Sequence, residues 1–330
     1  MERESRGRKS ADTDPWEVRT LALEAAVRRV SQVVRGKEEV VRLAVVCFLA
    51  RGHLLLEDVP GVGKTTLGRA LARIVGGTFT RIQLTADLLP ADIVGGQVLD
   101  KPSGGLTFRP GPVFANVVLA DELNRATPRT QSGLLEAMAE RSISVDGETH
   151  ALPDPFVVIA TQNPVEHHGV YVLPQSQMDR FLIRTNLGYP DDDVECALLM
   201  GRPAEGTEPV RVEDLQPAFT SELVHQLFAA VDEVNLSEEV ARYIQKIVRA
   251  TRESGLLATG VSTRGALQFA QAARARALVA GRRFVSPDDV YALAVPVCAH
   301  RVMLRGNDRP SREEAEAVLR ELVERVPAPV

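Results

Sequence analysis

The chain has 330 residues, 45% hydrophobic and 25% charged, with a formal net charge of −5. That is globular material long enough for two domains of unequal kind, and no apolar run approaches the roughly twenty residues of a membrane span, which excludes membrane insertion. The acidic balance and the 5% aromatic content argue against a protein that tracks nucleic-acid phosphates or stacks bases.

Residues 1–15 (MERESRGRKSADTDP) are charged and lack the apolar core of a signal peptide. They read as a disordered tail without an address, so the expected location is the cytoplasm. Cys47, Cys196 and Cys298 are odd in number and widely spaced, which argues against a disulfide framework or a zinc site. All three are expected to be small core residues.

Apolar residues at helical spacing predict a helix over 16–34, broken at Val34-Arg35-Gly36-Lys37, and a second helix over 38–50. The break at Val34 to Gly36 lies where an adenine could rest. The run Leu54, Leu55, Leu56 then reads as a strand, followed by a turn (Asp58, Val59, Pro60, Gly61, Val62, Gly63) and a helix from Lys64 through Thr65 and Thr66 to Ile74.

Strand, glycine-bearing loop and helix form an anion cradle. Gly61 and Gly63 let backbone N–H groups curl around phosphates, and the helix N-terminus adds partial positive charge. Lys64 would neutralise the outer phosphates and Thr65 would give Mg2+ a hydroxyl ligand. The general pattern places glycine six residues before the lysine, where this chain has Asp58.

Residues 79–84 alternate as a strand, and a long region rich in glycine and proline, 85–112, follows. The apolar runs 116–120 and 156–161 read as buried parallel strands. The first ends at Asp121-Glu122 and the second at Gln162-Asn163. Thr127-Pro128 starts a helix, and Asp146-Gly147 after an alternating segment signals a hairpin.

Beyond Tyr189-Pro190 strand signals stop, and helices are expected over 221–234, 237–253, 263–280, 287–303 and 312–325. The fold class is therefore α/β, a parallel sheet flanked by helices (16–188) followed by a small helical domain (189–330). The arginines gathered there (Arg264, Arg274, Arg276, Arg282, Arg283) read as a solvated face.

Phosphoryl transfer needs a group to hold Mg2+ and one to polarise the attacking water, roles that fall to Asp121 and Glu122 respectively. The neutral amide of Asn163 suits positioning of that water or of the terminal phosphate. Arg180 and Arg264 are candidates for cationic stabilisation; at a helix start, Arg264 opposes the macrodipole and calls for an anion. Glu166 and the adjacent His167-His168 are expected to form a polar loop rather than a metal site.

The strings EDVPGVGKTT, ADELNRATPRTQSGLLEAMAE, SVDGETHALPDPFVVIATQNPVE, QMDRF and GVSTRG, in this order, resemble the MoxR family of AAA+ ATPases. The resemblance covers nearly everything from Trp16 onward. It implies ATP as substrate, with Mg2+, on a Walker A motif at Pro60, Gly61, Val62, Gly63, Lys64, Thr65 and Thr66 and a Walker B motif at Asp121 and Glu122. It further implies sensor 1 at Asn163, an arginine finger at Arg180 acting on a neighbouring subunit's nucleotide, and sensor 2 at Arg264.

A ring, expected to be a hexamer, follows from that finger. An insert at 85–112 and a hairpin at 141–152 would face its pore and touch a client. The resemblance implies chaperone-like remodelling, with a von Willebrand factor A domain protein as partner and maturation or cofactor insertion as the task. Gln175-Ser176 stands where the family commonly has Glu-Ala, and Val172 where proline is frequent. An ATP-gated scaffold with little hydrolysis is the alternative, and a nucleic-acid motor fits the charge less well.

Overall fold

Leu54 to Glu57, Val117 to Asp121 and Val157 to Gln162 are almost wholly buried apolar runs, as strands covered on both faces must be. Successive side chains divide between two cores: Leu54, Leu56, Val117, Leu119, Val157 and Ile159 point to one, while Leu55, Val118, Ala120, Val158 and Ala160 point to the other. Each such fully buried side chain larger than alanine contributes about 1.5–3 kcal/mol.

The computed structural model describes residues 14–99, 105–163, 169–201, 210–306 and 311–329. The expected tail over its first thirteen residues and the Glu166, His167 and His168 loop lie outside the described residues.

In chain order, α1 (Pro15–Val33) and α2 (Glu38–Leu49) precede β1 (Leu54–Glu57), α3 (Lys64–Ile74) and β2 (Phe79–Gln83). The region expected to be irregular then holds α4 (Pro90–Val94) and an antiparallel pair, β3 (Gly95–Leu99) with β4 (Leu106–Pro110). Next come β5 (Val117–Asp121), α5 (Pro128–Glu140), the hairpin β6 (Ser142–Val145) and β7 (Glu148–Ala151), and β8 (Val157–Gln162). A short α6 (Gln175–Met178), β9 (Ile183–Thr185) and α7 (Asp192–Leu199) lead into α8 (Ser221–Glu233), α9 (Glu238–Glu253), β10 (Leu257–Thr259), α10 (Thr263–Val279), α11 (Pro287–Cys298), β11 (Met303–Leu304) and α12 (Arg312–Glu324).

The main sheet is parallel in the order β2, β5, β8, β1, β9. On one side lie α1, α2, α3 and, continuous with them, the C-terminal helices, which share a single apolar cluster; α5 covers the other side. Helix α3 shows how the local pattern works: Leu67, Ala70, Leu71 and Ile74 fall on one face, and that face is buried.

The C-terminal region departs from the all-helical expectation in two places. β10 and β11 form a small antiparallel pair, and the helix expected over 287–303 stops at Cys298, followed by a 3-10 turn at 299–301. Cys47 and Cys298 are buried as expected, whereas Cys196 is exposed on α7.

His53, just ahead of β1, joins strand to helix. Its Nδ1 accepts from the Val158 N–H at 2.9 Å, so Nε2 carries the hydrogen directed at the Met138 carbonyl, 3.1 Å away. Burial lowers its pKa from 6.5 to about 4. The unfolded chain therefore takes up a proton that the folded chain refuses, and stability is present above pH 6.5 and lost as pH falls toward 4. Two to three pKa units correspond to roughly 3 kcal/mol. Buried His300, also held well below its usual range, acts in the same direction. Urea midpoints measured from pH 7 to pH 4.5 should fall, with a shallower slope in His53→Leu.

Candidate active site

Parallel pairing aligns the carboxyl ends of the strands: Glu57 sits opposite Gln162, and Gln83 opposite Asp121. Ligands of open α/β sheets bind outside that edge.

The phosphate loop leaves β1 there. Gly61 and Gly63 have φ of 89° and 99°, left-handed values that a side chain would strain. A Cβ at either would meet nothing within 4 Å, so conformation rather than space demands glycine. Gly63 caps α3, and Lys64 Nζ donates back across the loop to the carbonyls of Asp58 and Val59 at 3.0 and 3.1 Å.

Asp58, the residue that departs from the general pattern, is buried. Its carboxylate accepts from the N–H groups of Leu187 and Gly188, fastening the base of the loop to the segment that follows β9. A glycine could not make this tie.

Both oxygens of Asp121 are engaged. Oδ1 accepts from Thr161 Oγ1 at 2.6 Å, and Oδ2 accepts from Arg81 Nη2 at 2.6 Å and Nε at 3.1 Å. Glu122 adopts φ 58° and ψ 51°, the left-handed region, at a cost on the order of 1–3 kcal/mol. Its N–H donates to Thr161 Oγ1 at 2.8 Å, and its Oε2 accepts from Gln83 Nε2 and Arg125 Nη1, each at 2.9 Å. Thus two side chains, Gln83 and Arg125, hold the carboxylate while Thr161 holds the backbone as it turns sharply out of the sheet.

One open cavity of about 300 Å3 gathers these groups. Pro60, Gly61, Gly63, Lys64 and Thr65 line it from the loop, and Asp121, Glu122, Asn163 and Arg81 from the strand ends. The structure thereby brings together eight of the candidate residues. Val62 and Thr66 are half-buried beside the loop without lining the cavity. Val34 is buried, and Gly36 sits against Val194 of α7, where an added Cβ would lie 3.3 Å from that side chain; neither lines the cavity.

Arg180 and Arg264 also stand away from the cavity. Arg180 Nη1 donates to the Leu135 carbonyl, and Arg264 is exposed in the first turn of α10. A second cavity of about 290 Å3, bounded by Arg69, Arg73, Phe79 and Glu213, contains no strand-end acid.

Arg81, Gln83, Arg125 and Thr161 were not singled out from the sequence. Arg81 and Gln83 belong to an alternating strand whose neighbour is β5, a fact set by strand order.

Comparison with known proteins agrees with this geometry. Residues 53–183 match the ATPase family associated with various cellular activities (AAA), and residues 249–322 match the AAA lid domain. The Bacillus subtilis protein YeaC is 44% identical over 92% of this chain and 94% of its own. Chaperone MoxR1 of Mycobacterium tuberculosis is 40% identical over 93% of this chain and 82% of its own, and protein MoxR of Paracoccus denitrificans 33% identical over 90% and 92%. The crystal structure of a presumed ATPase from Cytophaga hutchinsonii, 32% identical, superposes with a TM-score of 0.80 over 94% of this chain and 96% of that one. With a parallel sheet, a phosphate loop after β1, acids at the end of β5 and a lid, the chain belongs to the MoxR family of AAA+ ATPases.

Proposed function

We propose that this chain hydrolyses ATP with Mg2+ in an oligomeric ring, a hexamer in the form expected of the family, and uses the cycle to remodel client proteins. The observation that carries the reading is the convergence of Lys64, Thr65, Asp121, Glu122 and Asn163 on one cavity at the carboxyl edge of the sheet.

In this reading the loop N–H groups and Lys64 bind the phosphates, Asn163 orients the attacking water, and Glu122 takes its proton. Thr65 and Asp121 would hold Mg2+, which supplies charge neutralisation at the phosphates; a hydroxyl and a carboxylate are hard oxygen donors of the kind that ion takes. Arg180 completes the neighbour's site and Arg264 reports on the subunit's own nucleotide. The sheet domain (16–188) and the lid (189–330) move against each other.

Chaperone MoxR1 among the relatives supports a remodelling task. A von Willebrand factor A domain partner, a role in maturation or cofactor insertion, and a cytoplasmic setting belong to the same proposal by family resemblance. No helix among the described residues is long and apolar enough to cross a membrane.

A nucleotide-gated scaffold with negligible turnover is the second reading. It is favoured by the bonds already closed around Asp121 and Glu122, where Arg81, Gln83 and Arg125 offset part of the negative charge that a metal or a water proton would meet.

Calorimetric titration with Mg·ATP tests the nucleotide site. Lys64→Ala should weaken binding by roughly 10- to 100-fold, the value of a contact between charged groups. Unchanged affinity would contradict both readings.

A further inference from the structure

Arg301, in the turn after α11, is only 3% exposed. Its guanidinium donates from Nε to Asp179 Oδ1 at 2.9 Å, from Nη1 to the Val297 carbonyl at 2.7 Å, and from Nη2 to the Phe181 carbonyl at 2.7 Å and Gln268 Oε1 at 2.6 Å. Beside it, His300 Nε2 donates to the same Phe181 carbonyl at 2.8 Å, and the His300 carbonyl accepts from Gln175 Nε2 at 3.0 Å. The lid thus grips Gln175, Asp179 and Phe181, on both sides of Arg180.

The knot also reaches the start of α10. Asp179 Oδ2 accepts from Ser262 Oγ at 3.3 Å, and Ser262 is the N-cap of the helix whose second residue is Arg264. Gly265 leaves room for the arginine stem, since a Cβ there would lie 3.1 Å from Arg301 Cδ and 2.9 Å from Val261 Cγ1. The Arg180 side chain bonds elsewhere, to the Leu135 carbonyl of α5, while the residues on either side of it, Asp179 and Phe181, are held by the lid. Such an ion pair adds little net stability over apolar packing, but separating Asp179 from Arg301 would leave a buried guanidinium without its counter-charge.

We infer that Asp179 and Arg301 are a positioning pair that ties Arg180 to the first turn of α10, so that lid movement on ATP binding in one subunit moves the arginine serving the next. The inference rests on the assignment of Arg180 as a cross-subunit finger and names what controls its placement. Neither Asp179 nor Arg301 lines the cavity of its own subunit, so their loss should leave nucleotide binding intact.

The test uses the full chain. Asp179→Asn should lower kcat by roughly 10²-fold, the cost of misplacing a positioned group by about 1 Å, with Mg·ATP affinity unchanged. Combining it with Arg180→Ala should add no further loss, whereas a merely structural defect would add. Mixing Asp179→Asn subunits with Glu122→Gln subunits should restore turnover, because one supplies an intact site and the other a placed arginine.

Asp179→Asn leaves Arg301 buried beside a neutral amide, so the pair Asp179→Leu with Arg301→Met, which removes both charges, serves as a second variant and should show the same defect. Wild-type kcat in Asp179→Asn, or mixing that fails where Arg180→Ala with Glu122→Gln succeeds, would overturn the inference. If Arg180→Ala itself keeps full turnover, the finger assignment fails, and the inference with it.

Discussion

Glu122→Gln is expected to lower ATP turnover by roughly 10²- to 10⁴-fold, the range for removal of a positioned general base. The amide keeps the size of the side chain and an oxygen that can still accept from Gln83 Nε2 and Arg125 Nη1. The backbone N–H still reaches Thr161, so the left-handed turn survives. What is lost is the capacity to take a proton from water. Mg·ATP affinity should be unchanged, because Lys64, Thr65 and the loop N–H groups are untouched, and single-turnover kinetics beside a binding titration would show the two effects apart. A variant that binds weakly instead would make Glu122 part of the binding site; one that keeps wild-type turnover would move the base elsewhere.

Arg180→Ala should cost still more, about 10³- to 10⁵-fold in turnover, the worth of an arginine that meets transition-state charge from a neighbouring subunit. The structure makes the prediction specific. Arg180 does not line the cavity of its own chain, so the variant should bind Mg·ATP as the wild type does. Its side chain donates to the Leu135 carbonyl in the body of α5, a single contact whose loss should leave the thermal midpoint close to that of the wild type. A large loss of kcat with unchanged affinity and stability is the expected combination, read from steady-state turnover, calorimetry and thermal melting on the same preparation.

The parts of the fold legible from sequence are those where local pattern and tertiary role coincide. The apolar runs ending at Glu57, Asp121 and Gln162 are too short for most helices and too apolar for exposed strands, and they became β1, β5 and β8 with their polar ends on one edge. β9 escaped notice because it has three residues and carries Arg184 at its centre, a buried cation 3.6 Å from Glu57 that resembles no strand core. β10 and β11 escaped for the same reason of length. In the glycine-rich stretch, Gly95 and Gly111 allow backbones to pass within 2.5 Å of where a Cβ would stand, so residues that read as irregular serve the packing of the pair β3 and β4.

The site divides in the same way. Lys64, Asp121, Glu122 and Asn163 announce themselves by motif and by position at the end of an element. Arg81 does not: nothing near it in sequence mentions Asp121, 40 residues away, and only the placement of β2 beside β5 makes them partners. Asp58 is the converse case. Its sequence position looked like a defect of the phosphate loop, and its carboxylate proves to be the tie between that loop and the segment leading to the lid.

The central claim is that a complete catalytic site exists only where two subunits meet. Steady-state ATP hydrolysis per protomer, measured across a wide range of wild-type concentration with oligomeric state followed in parallel, tests it most directly. Specific activity is predicted to rise with concentration, in step with assembly, to a plateau. Specific activity that stays constant down to the dilute monomer would contradict it.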